Sequence, residues 1–421
     1  MNGKKLLILG ANVETISLVE TAKRLGVITY VTDYNPNAPA KKIADVAFDI
    51  DCMNVEALTK LCIEEKIDGV MVGVADSLVK VYAKLCQKLN YPCYATTYQA
   101  NILSNKKLFD DECKKFDIPT IPNYQVDLDR FVETEINIIY PVFVKPVDGN
   151  SGLGMSICHN KQELYSGIKK AISISRSGKY LVEKYMECDD IFLNYTFING
   201  KPHLSAIANR FTIKQGNNAS RVCVGAVYSD KYLELYKKTI EKKLFKLFTY
   251  LGLKNGVLMI SAFVENNTIH LYDPGFRLQG EAPDIHIAKA TGFEQKEFLI
   301  NVALGYNYDK PADQLDKLLA SDKTYATIWI LLKEGKITKL VGLEELIENR
   351  SAYKISQRMF LGDTVDKSMV GTERQVFARI YCDMKKEVYK EKIAEIKKSV
   401  QIFDELGAVQ NVLSLLECKR S

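Results

Sequence analysis

The sequence lacks the features that mark several common protein classes. None of the ten cysteines is spaced as C-x-x-C, so we expect neither a disulfide framework nor a zinc site, and scattered thiols favour a reducing cytoplasm. No apolar run reaches the roughly 18 residues of a membrane span, and the apolar start of the chain is too short for a signal peptide. The 57 basic and 52 acidic residues are nearly balanced, which does not favour a nucleic-acid partner.

Histidine is also scarce, with four in the chain. His203, His270 and His286 show no metal-ligand spacing, so each is expected to be an ordinary surface or core histidine. We keep His286 as a weak candidate for a substrate pocket. The sequence shows no internal repeat or long flexible linker, and its 421 residues predict roughly two to four domains.

The N-terminal part alternates between apolar strands and amphipathic helices. This alternation predicts a doubly wound parallel sheet, whose ligands bind at the carboxyl ends of the strands. Gly10 to Asn12, Asp33, and Gly73 to Asp76 lie at that edge. A dinucleotide-binding domain is an alternative, and Asp33 is where its ribose-binding acid would be. However, the turn after Gly10 lacks the second and third glycines of the G-x-G-x-x-G fingerprint.

The central stretch runs from Tyr140 to Met155, with the sequence YPVFVKPVDGNSGLGM. Its β-forming residues predict a strand that carries Lys145, followed by a glycine-rich loop and a second strand. A lysine inside an apolar run needs a partner for its charge. Loop N–H groups and one ammonium would form a phosphate cradle, although a hairpin with a snorkelling lysine is an alternative.

The rest of the chain predicts an α+β arrangement. We expect a helical region over residues 96–117, a long amphipathic helix over 231–251 and a strand over 179–186 that contains Glu183 and Lys184. Three antiparallel hairpins are predicted, from the strand pairs 192–197 with 203–210, 256–263 with 268–272, and 325–333 with 336–343. The second hairpin leads into the sequence DPGFRLQG at 273–280.

In the order of these features, the chain resembles the ATP-grasp superfamily. The spacing is similar to the branch with carbamoyl-phosphate synthetase, biotin carboxylase, the purine-pathway carboxylate–amine ligases and the L-amino acid ligases. The resemblance covers residues 1 to about 300. It implies a Rossmann-like pre-ATP-grasp domain over 1–95 and an ATP-grasp domain over 96–305, with a mobile small lobe at about 124–185. A C-terminal α+β closing domain would follow over 306–421.

The resemblance also implies which residues bind ATP between two α+β lobes. Lys106 and Lys145 would contact phosphate, although Lys106 alone reads as a solvated lysine and Lys107 is an adjacent alternative. Glu183 and Tyr185 would lie at the hinge that reads the adenine edge through backbone groups. Asp190 would bind ribose, although by itself it reads as a loop-surface acid. The implied ATP-binding residues are Lys106, Lys145, Gly149, Asn150, Ser151, Gly152, Gly154, Glu183, Lys184, Tyr185 and Asp190.

The implied metal site departs from the family pattern. The family holds magnesium with a glutamate in the penultimate strand and a Glu-x-Asn-Pro-Arg motif in the last. Here Ser261 stands at the first position and Asp273-Pro-Gly-Phe-Arg277 replaces the motif. Asp273 could bind metal, but Gly275 has no side-chain ligand. Glu265 or Glu281 could compensate.

Arg277 is the candidate catalytic residue, together with Lys145. A fixed guanidinium would stabilise the charge on a transferred phosphoryl group and on a tetrahedral oxyanion. The alternative for Arg277 is a structural salt bridge to Asp273 or Glu281. Arg210, at the end of a strand, is a weaker candidate for binding phosphate or substrate.

The resemblance predicts an ATP-dependent, ADP-forming carboxylate–amine ligase that works through an acyl phosphate. It implies ATP with Mg²⁺, or Mn²⁺ in its place, and small-molecule carboxylate and amine substrates. A homodimer is compatible with the architecture. Two alternatives stay open, a bicarbonate-activating carboxylase-type ligase and a nucleotide-binding protein without catalysis.

Overall fold

A computed structural model describes residues 1–128, 137–147, 154–214, 221–308 and 314–412. Its strands are β1 (Lys5–Leu9), β2 (Ile28–Thr32), β3 (Val46–Phe48), β4 (Gly69–Val72), β5 (Asn123–Tyr124), β6 (Val142–Pro146), β7 (Ser156–Cys158), β8 (Tyr180–Lys184), β9 (Asp189–Ile198), β10 (Lys201–Lys214), β11 (Arg221–Tyr228), β12 (Gly256–Glu265), β13 (Thr268–Gly275), β14 (Lys323–Leu331), β15 (Gly335–Lys336), β16 (Lys339–Val341), β17 (Lys354–Gln357), β18 (Thr364–Val365), β19 (Val376–Lys385) and β20 (Gln401–Phe403). Its α-helices are α1 (Ile16–Arg24), α2 (Val55–Glu64), α3 (Asp76–Leu89), α4 (Thr97–Ile102), α5 (Lys106–Lys115), α6 (Lys161–Ile174), α7 (Leu233–Thr239), α8 (Glu241–Tyr250), α9 (Asp284–Thr291), α10 (Gln295–Ala303), α11 (Glu345–Glu348) and α12 (Tyr389–Ser399).

The N-terminal sheet is parallel and has the strand order β3-β2-β1-β4. Leu6 to Leu9 are fully buried in its centre, as expected for a strand covered on both faces. The predicted doubly wound sheet is therefore confirmed. At its carboxyl edge, the Asp33 carboxylate accepts hydrogen bonds from the N–H groups of Ala11 (3.0 Å) and Asn35 (2.9 Å). Asp33 thus stabilises the turn after β1, which leaves it poorly placed for a ribose.

The largest sheet has eight strands in the order β13-β12-β9-β10-β11-β14-β19-β17. The two predicted hairpins on its first strands are confirmed, since β9 pairs with β10 and β12 with β13. The sheet continues without a break into strands beyond residue 306, because β14 pairs with β11. The domain boundary at 306 stays a prediction.

Two predicted elements in the second half of the chain are wrong. The segments 325–333 and 336–343 do not form a hairpin, because β14 lies between β11 and β19 while β16 pairs with β20. Every residue of β14 after the first is buried, and a strand buried in this way needs partners on both sides. The long helix over 231–251 is two helices, α7 and α8, since the backbone leaves helical geometry at Ile240 (φ −128°).

A smaller four-stranded sheet, in the order β5-β8-β6-β7, carries the central stretch. The strands β6 and β7 are antiparallel, with Val142 opposite Cys158, so the glycine-rich segment connects two paired strands as predicted. Helix α6 packs Leu164 and Ile168 against Val142 and Val144 of β6. This small core holds β6, and therefore Lys145, in place. None of the helices in the described ranges combines the length and the apolar character needed to cross a membrane.

Candidate active site

A cleft lies between the small sheet and the end of the large one. Its walls come from α5, β5, β8 and β13, and include Lys106, Lys107, Asn123, Gln125, Glu183 and Tyr272. The cleft has an apolar floor of Phe109, Ile121, Val182 and Leu271, the usual combination in small-molecule sites. Two of the predicted ATP-binding residues, Lys106 and Glu183, therefore line one shared space.

Lys145 is almost fully buried, and its charge has a buried partner. Its Nζ lies 2.6 Å from Oε2 of Glu183, and the two side chains are 8% and 13% exposed. The pairing of β6 with β8 places the strands that carry these residues side by side. Glu183 also lines the cleft, so the pair lies at its wall, where an incoming phosphate would compete with Glu183 for the ammonium.

Lys106 and Lys107 begin α5 but have different surroundings. The side chain of Asn105 caps this helix by accepting hydrogen bonds from the N–H groups of Lys107 and Leu108. Lys106 Nζ is 3.5 Å from Oδ1 of Asp273, whereas Lys107 forms a short ion pair with Asp111 on the helix surface. Lys106 thus lies beside the candidate metal ligand, which makes it the stronger phosphate candidate of the two.

In the predicted adenine hinge, backbone N–H groups already donate hydrogen bonds to carbonyl groups of the protein. The N–H of Lys184 donates to the carbonyl of Pro122 (2.8 Å), and the N–H of Tyr185 donates to that of Pro141 (3.2 Å). Lys184 Nζ lies 2.5 Å from Glu265. In this structure the N–H of Tyr185 therefore donates to the Pro141 carbonyl, which occupies the donor expected at the adenine edge.

Asp273 is an accessible carboxylate at the metal end of the site. The side chain of Asp273 is 40% exposed, and Ser261, directly opposite on β12, is buried. Both residues proposed as compensating ligands are paired elsewhere, Glu265 with Lys184 and Glu281 with Arg210 (3.2 Å). No group of three or more histidine, cysteine, aspartate or glutamate side chains suited to a metal occurs in the described part of the chain.

Arg277 is held by the N-terminal domain. Its Nε lies 2.7 Å from Asp76 Oδ1 and its Nη2 lies 2.5 Å from Asp76 Oδ2, while Nη1 donates to the carbonyl of Leu278 (2.7 Å). The alternative of a salt bridge is therefore present, but the expected partners, Asp273 and Glu281, were wrong. Nothing near Asp76 in sequence points to Arg277, because the two are 201 residues apart.

Arg210 and Asp190 belong to one buried polar cluster. Arg210 lies 3.5 Å from Asp190, 3.3 Å from the Tyr272 hydroxyl and 3.4 Å from the Ser261 hydroxyl. Asp190 is on β9 with a side chain 16% exposed, so its expected description as a loop-surface acid was wrong. Burial raises the pKa of Asp190, against the opposing effect of the Arg210 charge. The clustering of Arg210 with Ser261 gives no support to a free metal position there.

His286 is fully buried, which does not support a place in an open pocket. Its Nε2 lies 2.8 Å from the Thr327 hydroxyl, and its Nδ1 forms a short contact with the Tyr353 hydroxyl. Burial lowers its pKa to about 3. His286 is therefore the satisfied core histidine that its sequence context predicted.

The glycine-rich loop is only partly within the described residues. Gly149, Asn150, Ser151 and Gly152 lie outside them, so their predicted phosphate contacts stay predictions. Gly154 is described and has φ +75°, and a Cβ there would come within 2.8 Å of Pro146. This position therefore requires glycine.

Comparison with known proteins identifies the fold. Residues 105–189 match the family model "Carbamoyl-phosphate synthase L chain, ATP binding domain". The chain superposes on phosphoribosylglycinamide synthetase from Anaerococcus prevotii with a TM-score of 0.76 and 18% identity, covering 96% of this chain and 100% of the other. The chain has the ATP-grasp fold.

Two further comparisons agree with this fold. An L-amino acid ligase from Bacillus licheniformis superposes with a TM-score of 0.77 at 17% identity, covering 96% of this chain and all of the ligase. The formate-dependent phosphoribosylglycinamide formyltransferase of Prochlorococcus marinus subsp. pastoris is 29% identical over 191 residues, which are 44% of this chain and 48% of that protein. The chain thus matches about half the length of the curated relatives.

Proposed function

We propose that this ATP-grasp protein is an ATP-dependent carboxylate–amine ligase that releases ADP and phosphate. The observation that carries the proposal is a cleft lined by Lys106 and Glu183, with Lys145 paired to Glu183 and Asp273 lying beside Lys106. The match of residues 105–189 to an ATP-binding domain supports it. So do the relatives, which are named as a ligase, a synthetase and a formyltransferase.

The residues present fit ATP and one divalent cation. Lys106 and Lys145 supply two cations for the phosphates. Asp273 offers one exposed carboxylate, and Mg²⁺ commonly binds one or two carboxylates together with substrate phosphates and water. Bound Mg²⁺, or Mn²⁺ in its place, would neutralise phosphate charge. A second ion is not supported by Ser261 or Gly275, because the former is buried and the latter has no side chain.

The proposed reaction has two steps. A carboxylate oxygen attacks the γ-phosphorus, the bond between that phosphorus and the β,γ-bridging oxygen breaks, and ADP leaves. An amine nitrogen then attacks the acyl carbon and loses a proton, and phosphate leaves with the former carboxylate oxygen. In the proposal, Lys145 and Lys106 hold the triphosphate in line, and Arg277 stabilises the transferred phosphoryl group and the tetrahedral oxyanion.

The proposed substrates are an organic carboxylate and an amine. The proposal further includes a cytoplasmic setting and a homodimeric assembly. Arg210 and Arg277 are the proposed anion partners for the carboxylate of an amino acid or a sugar acid, and such a carboxylate would compete with their present partners Asp190, Glu281 and Asp76. We do not propose His286 as a substrate contact, because both of its ring nitrogens have protein partners.

The test is magnesium-dependent ADP release with pooled amino acids and pooled sugar acids. We expect release that depends on a pool and falls at least about 100-fold in Lys145→Ala. Lys88→Ala is the matched control, because Lys88 forms a surface ion pair with Glu56 far from the cleft. If Lys145→Ala does not fold, the double variant Lys145→Met, Glu183→Gln avoids leaving Glu183 as an unpaired buried charge.

The outcomes separate the remaining candidates. Release that requires bicarbonate and no organic acid would favour a carboxylase-type ligase. A melting temperature raised by ATP, without ADP from any pool, would favour a nucleotide-binding protein without catalysis, for which Ser261 and Gly275 are the motivation. No response to ATP at all would contradict the proposed nucleotide site.

A further inference from the structure

Gly275 is the residue of the 273–277 motif that has no side chain, and the structure shows what lies in the space beside it. A Cβ built at Gly275 would be 3.0 Å from Oδ1 of Asp76 and 3.5 Å from Cζ of Arg277. A real Cβ rarely approaches another atom that closely. A larger side chain at position 275 would therefore compete with the Asp76 carboxylate for the same space.

Asp76 reaches this position from the other side of a domain junction. It is the first residue of α3 and follows β4 of the parallel sheet, whereas Gly275 ends β13 of the large sheet. The Asp76 side chain remains 48% exposed, while Arg277 is only 10% exposed. The arginine is thus buried, and the carboxylate that meets it is presented by the N-terminal domain.

The contact between them fixes the orientation of a guanidinium plane. Asp76 accepts from Nε and Nη2 of Arg277 through its two oxygens, and the Leu278 carbonyl accepts from Nη1. A two-point pair of this kind restricts rotation as well as position, and it is stronger than a single charged hydrogen bond. Two N–H directions of Arg277 are left for other acceptors.

We propose that Asp76 is a positioning residue for Arg277, and that Gly275 lacks a side chain because Asp76 occupies that space. The inference rests on the proposed ligase function, in which Arg277 touches the transferred group. A side chain at position 275 and a carboxylate at position 76 then exclude each other. The N-terminal domain, by this account, contributes to the orientation of the reacting groups.

A double-mutant cycle between the two positions tests the exclusion. Gly275 is outside the left-handed region of φ, so an asparagine there meets Asp76 without added backbone strain. We expect Gly275→Asn alone to lower kcat about tenfold or more, with a smaller change in KM for ATP. Asp76→Ala should also lower kcat. The double variant should be no worse than Asp76→Ala, because the competing carboxylate is gone.

Two controls distinguish the positioning of Arg277 by Asp76 from a general weakening of contacts between the N-terminal domain and the rest of the chain. Glu294→Ala removes another ion pair of the N-terminal domain, with Arg24 of α1, and should leave kcat unchanged if only Asp76 acts through Arg277. Asp76→Glu keeps the charge and should recover more kcat than Asp76→Asn. Equal losses in Asp76→Ala and Glu294→Ala would overturn the inference, as would additive losses in the cycle.

Urea unfolding of the same four proteins gives a readout that needs no activity. The loss of unfolding free energy caused by Gly275→Asn should be clearly smaller in the Asp76→Ala background. Additive losses there would also overturn the exclusion. If wild-type protein releases no ADP from any pool, the proposed function fails. The unfolding free energies of the cycle still decide whether the Asp76 carboxylate and a side chain at position 275 occupy the same space.

Discussion

At the scale of single residues, the buried charges of Lys145 and Arg210 have partners of opposite charge, whereas the buried His286 has no charged partner among the described residues. Lys145 has Glu183, and Arg210 has Asp190 and Glu281. His286 instead contacts two hydroxyl groups and the rings of four tyrosines, Tyr228, Tyr325, Tyr353 and Tyr381. A neutral imidazole suits these contacts, and a protonated one would be buried without a counter-charge.

This environment predicts a pH dependence of stability. Burial lowers the pKa of His286 to about 3, so the unfolded chain takes up a proton at higher pH than the folded protein does. The contribution of His286 is therefore complete above the unfolded pKa and is lost as the pH falls toward the folded pKa. The free energy of unfolding should drop by about 1.4 kcal/mol per pH unit from this residue once the pH is below about 6.

The measurement is urea unfolding of wild type and His286→Gln between about pH 6 and pH 4. The titration of carboxylates is common to both proteins and cancels in the difference. The slope should be steeper in wild type. Identical slopes would contradict a neutral, buried His286.

At the scale of elements, two glycines at strand boundaries show different reasons for lacking a side chain. Gly200, in the turn between β9 and β10, has φ +84° and open space around it. Gly69 begins β4, and a Cβ there would lie 2.2 Å from the carbonyl oxygen of Ala303 in α10. Gly200 is required by the positive φ of the local turn, whereas Gly69 is required because two elements distant in sequence pack closely at that point.

Alanine at each position should therefore have a different cost. Gly200→Ala should lose about 1 kcal/mol of unfolding free energy, because only backbone strain is added. Gly69→Ala should lose about 2 kcal/mol or more, because α10 must move away from β4. Chemical denaturation of both variants, with Gly178→Ala as a further open, positive-φ control, measures the difference. A larger loss at Gly200 than at Gly69 would contradict the packing account.

At the scale of the whole molecule, the eight-stranded sheet joins the second half of the chain to the ATP-grasp lobe. The strand β14 lies between β11 and β19, and the pairing of β11 with β14 runs from Gly225 to Tyr228. Residues of β11, β14 and β19 also share one apolar cluster, which includes Val227, Ile328 and Ile380. The segment after residue 306 is therefore bonded to the preceding lobe by backbone as well as by side chains.

A chain that ends at residue 305 should consequently fail to fold cooperatively. Removing β14 would leave the edge of β11 unpaired and expose its apolar residues. We expect the fragment 1–305 to unfold without a sharp urea transition and to bind a hydrophobic dye. The fragment 1–412 retains every described strand and is the control. A cooperative transition in 1–305, with ATP still raising its stability, would establish an independent domain boundary near 306.

The sequence by itself determined the elements whose signals are local. The parallel sheet, the turns at Asn199-Gly200 and Asn266-Asn267, and the strand with Lys145 follow from periodicity and turn chemistry, which act over a few residues. The family pattern around residues 140 to 154 predicted a nucleotide site at the small sheet, which stays a prediction, and the departures at Ser261 and Gly275 were visible in the motif itself.

Only the tertiary structure decided which residues meet. The partner of Arg277 is Asp76, the position of β14 is central, and Asp190 is buried against Arg210. Each of these depends on contacts between segments far apart in the chain, and no local propensity encodes them. The close approach of Asp76 to Gly275 is of the same kind, because the two residues are far apart in the chain and a Cβ at Gly275 would lie 3.0 Å from the Asp76 carboxylate.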